Sequence, residues 1–324
     1  MGILTTQKIT EYYERYKSID VTFTKEIIQV TGMITQQVYL KCIGDFWPCV
    51  VFSSSFQGAK VVANVKSGIV EKLRQANNSA SLRLCFRDAD SNSPVTFFVA
   101  ARSVGYAPYG DSKDMAVFTL QFTQRPPDDL IEIMGRLLDA NVNSTKRRDE
   151  RVLLTADSIR KLRLLSKETA TFIQGVPRRC ILRDISFSGA KFIMMGVAKF
   201  LVEKEAALRI DFDDPRESYL IRGKFIRAEL VEGRKELLAL VMLFNESTVP
   251  MGYKIRLNDF LCQIRVDNRG GDSPNPEARR PAGNAAEAKP PAPNPNPGQP
   301  PDQGRPPEDP PKAKVPEKLA SGVT

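Results

Sequence analysis

No histidine occurs anywhere in the 324 residues. Imidazole general bases and histidine-bound metals are therefore excluded at the outset. The five cysteines (Cys42, Cys49, Cys85, Cys180 and Cys262) are scattered, with no C-x-x-C pair. Most sit in apolar runs, where a free thiol behaves as a small hydrophobe. That pattern predicts no zinc site, no disulfide framework and a reduced, cytoplasmic setting. No apolar run is long enough to span a bilayer, and the N-terminus lacks a basic segment followed by an apolar one. A glycine-rich phosphate loop is also missing. Without it, and without a cluster of metal ligands, little remains from which to build an active site. The reading is of a protein that is not an enzyme, with no metal, no cofactor and no membrane insertion.

What is present is a chain long enough for about two domains, each with its own core. Composition is ordinary until about residue 266 and then shifts. Residues 267–324 hold 15 of the 23 prolines and no aromatic residue, in runs such as "PPAPNPNPGQPPDQGRPPEDPPK". So few apolar side chains cannot offset the entropy of ordering, and the segment reads as a disordered, partly polyproline-II tail. Charge is uneven too. Basic and acidic residues number 15 and 14 in 1–140, 24 and 16 in 141–266, and 8 and 8 in the tail. Of the overall charge of +9, +8 thus belongs to the middle segment, where an anionic partner is to be sought. The opening "MGILTT" fits a loose acylation pattern and carries little weight.

Hydrophobic periodicity suggests the same order of elements twice. Ile9, Tyr12, Tyr13, Tyr16 and Ile19 form a helical stripe, with Thr5 or Thr6 as its cap. Short β-rich runs follow ("VTFTKEIIQV", "QQVYLKCI", "WPCVVFSS", "AKVVANV"), then a helix over "SGIVEKLRQAN" capped by Ser67. Three further strands lead to "RPPDDLIEIMGRLLDAN", where two aspartates suit the positive first turn of an amphipathic helix. After a polar linker at 141–151, strands from "VLLTAD" to "ELLALVMLF" lead to a final amphipathic segment, "VPMGYKIRLNDFLCQI". Many short strands closed by one helix predict a mainly β fold. It comprises two small antiparallel β-barrels, at 1–140 and 141–266, with capping helices.

Two motifs carry the chemistry. "KRRDER" in the linker holds Arg147 and Arg151 as an R-x-x-x-R pair. About 35 residues on, "LRDISFSGAKF" holds Asp184, Ser186 and Gly189 as D-x-S-x-x-G. Taken singly, the first is an ordinary basic linker and the second a turn at a strand end. In this order, at the head of a β-rich domain with a terminal helix, residues 141–266 resemble the PilZ family of bacterial cyclic di-GMP receptors. The N-terminal half resembles, more loosely, the PilZ-like partner domain of two-domain receptors, including those of spirochaetes, but lacks the paired motifs.

The resemblance implies cyclic di-GMP as ligand, and the residue types fit it. A guanidinium fork matches phosphate oxygens and guanine O6 and N7, and it stacks on a flat base. Arg147 and Arg151 are suited to grip both parts. By resemblance, Asp184 and Ser186 reach the guanine edge. Gly189 either supplies a special backbone angle or permits close approach to the ligand. Lys146, Arg148 and Arg183 are secondary candidates for ligand contact; Arg178 and Arg179 read as an exposed strand face. Asp213 and Asp214 in "DFDDP" read as an acidic loop. The resemblance further implies a protein partner downstream, in motility, biofilm or virulence. A ligand bridging linker and barrel would order residues 144–151 and reorient the two domains. The alternative is a basic β-barrel that binds nucleic acid. That reading calls for aromatic residues among the basic ones, and "KRRDER" and "RRCILR" contain none.

Overall fold

A computed structural model of the chain describes residues 5–88 and 91–270. The acylation pattern lies partly, and the proline-rich segment from 271 onward wholly, outside the described residues.

The first half runs α1 (Thr6–Tyr16), β1 (Val21–Thr22), α2 (Lys25–Thr31), β2 (Tyr39–Cys42), β3 (Asp45–Pro48), β4 (Val50–Ser54), β5 (Gly58–Asn64), α3 (Ile69–Gln75), β6 (Ser79–Arg87), β7 (Pro94–Pro108), β8 (Met115–Phe122) and α4 (Asp128–Lys146). Its antiparallel strands form one sheet in the order β1-β4-β5-β8-β7-β6-β2-β3. Inward residues such as Leu40, Val61, Leu82, Leu84 and Phe118 build its core, closed by Tyr12 and Tyr16 of α1 and by Leu130, Ile131 and Met134 of α4. Gly135 brings the two helices together. A Cβ there would lie 2.4 Å from the Tyr12 ring, so no larger residue fits.

The second half runs β9 (Val152–Leu153), α5 (Ala156–Leu162), β10 (Glu168–Ile173), β11 (Val176–Ile185), β12 (Gly189–Met195), α6 (Ala198–Leu201), β13 (Glu205–Phe212), β14 (Glu217–Val231), β15 (Arg234–Phe244) and α7 (Met251–Gly270). Strands β10-β13-β14-β15-β12-β11 form a ring that the β10–β11 pairing closes, with β9 on the outside of β11. Closure removes the free strand edges. Phe192, Phe212, Phe225, Leu240 and Met242 fill the barrel, and Tyr253, Leu257, Phe260 and Leu261 of α7 seal it. The same helix turns Met251 and Ile255 toward the first core. Its first N–H is capped by Glu26 of α2 at 2.5 Å, so α7 belongs to both halves.

Five local expectations change. "VTFTKEIIQV" is a strand only at Val21 and Thr22 and then becomes α2. Thr24 accepts from the Ile27 N–H, and Gly32 closes the helix at φ 70°, so caps at both ends override β-branched propensity. "VLLTAD" likewise yields two strand residues before α5, whose start is a capping box between Thr155 and Ser158. Ser67 does not cap α3. Gly68 occupies that position, and the Ser67 hydroxyl donates to the Asn64 carbonyl at 2.6 Å. Finally, the first six residues of the expected linker are the end of α4. Asn143 is buried there and hydrogen-bonded to α7, which favours continuing the helix. At the other end, α7 carries residues 267–270, beyond the boundary expected at 266.

Candidate functional site

Arg147 is the first residue past α4. Its N–H donates to the Asn143 carbonyl at 2.8 Å, and it has left helical geometry at φ −117°. The four residues that follow are tied one by one to the barrel or its helix. Arg148 pairs with Glu246 at 2.5 Å, and Asp149 accepts from the Ser188 hydroxyl at 2.8 Å. Glu150 pairs with Arg265 of α7 at 2.8 Å, and Arg151 pairs with Asp184. The Ser188 N–H also donates to the Arg148 carbonyl at 3.1 Å. The expected linker is therefore strapped across the D-x-S-x-x-G turn.

The turn itself joins β11 to β12. Asp184 sits at the end of β11, paired across strands with Leu153 of β9 and Lys191 of β12. Its side chain is 9 % exposed against 42 % for Arg151. Among the described residues only Oδ1 of the Asp184 carboxylate is engaged, by Arg151. Ser186 is fully buried, and its hydroxyl lies 3.1 Å from both the N–H and the carbonyl of Gly189. The Ser186 N–H closes the turn onto the same carbonyl at 2.8 Å. Behind it, the buried Tyr253 hydroxyl of α7 donates to the Ser186 carbonyl at 2.8 Å. Burial pushes the Tyr253 phenol well above its ordinary value, so it remains a protonated donor.

Gly189 does not supply a special backbone angle. Its φ is not positive, and the close approach is to the next strand: an added Cβ would lie 2.3 Å from the Met242 carbonyl oxygen. Space, not backbone angle, calls for glycine here.

The structure thus brings Arg151, Asp184, Ser186 and Gly189 together, while Arg147, half-buried at the end of α4, has one atom unaccounted for. Its Nη1 is buried with no hydrogen-bond partner among the described residues. Buried guanidinium nitrogens are costly unless an acceptor meets them. Of the secondary candidates, Arg148 is engaged by Glu246, Lys146 is exposed at the last turn of α4, and Arg183 is exposed on β11. Arg178 and Arg179 also lie exposed on β11. Asp214 is neutralised by Arg163 at 2.6 Å, consistent with an ordinary acidic loop. Sequence reading missed Glu246, Ser188 and Tyr253. Ser188 lies inside the quoted stretch and was legible as part of the turn. Tyr253, 67 residues from the serine it holds, carried no local signal.

Residues 7–141 match the PilZN3 domain model. The chain is 44 % identical over 266 residues to a cyclic di-GMP binding protein of Treponema denticola, covering 82 % of this chain and 85 % of that protein. Among solved structures it is similar to PlzA of Borreliella burgdorferi in complex with c-di-GMP: 23 % identity, TM-score 0.37, covering 79 % of this chain and 99 % of that one. Another is YcgR of Escherichia coli in complex with c-di-GMP: 11 % identity, TM-score 0.27, covering 80 % and 97 %. With its N-terminal half matching PilZN3 and most of its length shared with the Treponema denticola protein, the chain belongs to the PilZ-domain family.

Proposed function

We propose that this chain is a cyclic di-GMP receptor that grips the dinucleotide between Arg147, Arg151 and the Asp184–Gly189 turn. The observation that carries the reading is the buried Nη1 of Arg147, unpartnered among the described residues, together with an Asp184 carboxylate of which only one oxygen is engaged there. A phosphate oxygen or a guanine O6 or N7 meets the first need, and guanine N1–H and N2–H meet the second. An adenine dinucleotide does not meet both as well, because adenine offers no N1–H to the carboxylate. The name of the Treponema denticola relative supports the same ligand.

Binding on this reading trades partners. Residues 148–151 already hold partners on the second domain, so the ligand takes Arg151 away from Asp184 instead of ordering a slack linker. Arg147 is continuous with α4, an element of the first core, so a pull on it is felt in the N-terminal half. We read this as a regulator of a downstream partner, acting through the arrangement of its two halves, with motility, biofilm and virulence as the settings the family suggests. It is a cytoplasmic binding protein in this reading, without catalysis. No helix among the described residues is long and apolar enough to cross a membrane.

Calorimetric titration of wild type and Arg147→Ala with cyclic di-GMP, alongside GTP and cyclic di-AMP, tests the proposal. Losing one charged hydrogen-bonded contact costs about 1.5–3 kcal/mol, or roughly ten- to a hundred-fold in affinity. Absence of heat from folded wild-type protein at micromolar dinucleotide, or equal affinity in the variant, overturns it.

A further inference from the structure

The packing of α4 against α7 is mostly apolar, yet three polar side chains are buried in it. Asp139 is 5 % exposed, Asn143 3 % and Asn258 1 %. Every hydrogen bond among them is matched. The Asn258 Nδ2 donates to Asp139 Oδ2 at 3.0 Å, and the Asn143 Nδ2 donates to Asn258 Oδ1 at 2.9 Å. The Tyr16 hydroxyl of α1 donates to the other Asp139 oxygen at 2.7 Å, and Arg15 lies 3.9 Å from that oxygen. An Arg136–Asp259 ion pair at 2.6 Å flanks the group. Leucines in these positions would pack at least as well. What they would lack is register, because apolar faces slide by a turn at little cost while a satisfied polar network has one solution.

Both ends of this network lead to the site. The Asn143 carbonyl accepts the Arg147 N–H, and five residues before Asn258 the same helix sends Tyr253 to the Ser186 carbonyl. The arginine-bearing end of α4 and the aspartate-serine turn are thus held to one another from behind, through α7. We infer that Asp139, Asn143 and Asn258 form a register pin that sets the spacing between Arg147 and the Asp184–Gly189 turn. They are positioning residues for the dinucleotide clamp, and Tyr16 extends the pin into the N-terminal helix. The inference rests on the cyclic di-GMP reading for its effect on affinity, but not for the pin itself.

Exchange of functional groups tests it. In N258D a second carboxylate faces Asp139, and the donor between them is lost. In the double variant D139N/N258D the amide and the carboxylate change places. Tyr16 then donates to the new amide oxygen, the new amide nitrogen to the new carboxylate, and Asn143 to that carboxylate as well. Two readouts are used on the full chain: cyclic di-GMP affinity by calorimetry, and amide hydrogen exchange of residues 147–151 without nucleotide. The expectation is affinity weakened on the order of tenfold in N258D, faster exchange at 147–151, and recovery of both in the double variant. Asn143→Ala, a milder change, should shift both in the same direction if N258D fails to fold. Unchanged exchange and affinity in a folded single variant overturn the pin, as does a folded double variant that recovers neither. If wild type ignores the nucleotide, the functional reading fails, and the exchange data alone still judge the pin.

Discussion

Gly189 owes its identity to Met242. A methyl group there would press on a backbone carbonyl of a barrel strand, and neither side has a flexible end to move aside. Gly189→Ala is therefore expected to lose roughly 1–3 kcal/mol of stability, the usual range for overpacking. Urea unfolding would measure it, and an unchanged midpoint would show that β15 yields more easily than its pairing suggests. At this scale the sequence was legible in kind and less so in detail. Asp184, Ser186 and Gly189 do form one turn beside Arg151, as their spacing suggests. The Ser186 hydroxyl, however, is engaged inside that turn, and the glycine serves the neighbouring strand. Neither use leaves a mark in local sequence, because Met242 lies more than fifty positions away.

Helix α7 is the element on which the site leans. Removing one oxygen from it, in Tyr253→Phe, leaves the Ser186 carbonyl without its donor in a dry place. The expected cost is about 1 kcal/mol in stability, with cyclic di-GMP binding weakened several-fold as the turn loosens. Melting and calorimetry on the same sample check both, and a melting change with intact affinity would sever the link from α7 to the turn. Element types were readable wherever the periodicity was long, as in α1, α4, α7 and the barrel strands. They failed at α2 and α5, each seven residues long, where a threonine cap decided the matter against β-branched neighbours. The length of α4 was misjudged for another reason: "VNSTK" looks like a linker until Asn143 is seen to have its partner on α7.

For the molecule as a whole, the missing histidine shapes the response to pH. No side chain with an ordinary pKa near neutrality is present to unsettle the fold there. The vulnerable side is alkaline. Burial pushes the Cys49 thiol, in the first core, and the Cys180 thiol, in the second, from 9.0 up to about 12. Burial also raises the phenols of Tyr12, Tyr16 and Tyr253 above their usual 10.0. These groups keep their protons when folded and lose them more readily when unfolded. Their contribution is complete below the unfolded values and drains away as pH climbs through the interval between unfolded and folded values. Denaturant unfolding should show a stability level from about pH 7 to 9 and falling above it. A decline setting in below pH 8 would contradict the burial of both thiols.

The pin between α4 and α7 also bears on how the chain is made. Asn143 emerges from the ribosome 115 residues ahead of the side chain that accepts its hydrogen bond. Throughout that stretch of synthesis, the nascent N-terminal half carries a helix whose buried face awaits its counterpart. Helix α7, translated after the strands of both halves, completes the N-terminal half, so maturation of either half waits on the other.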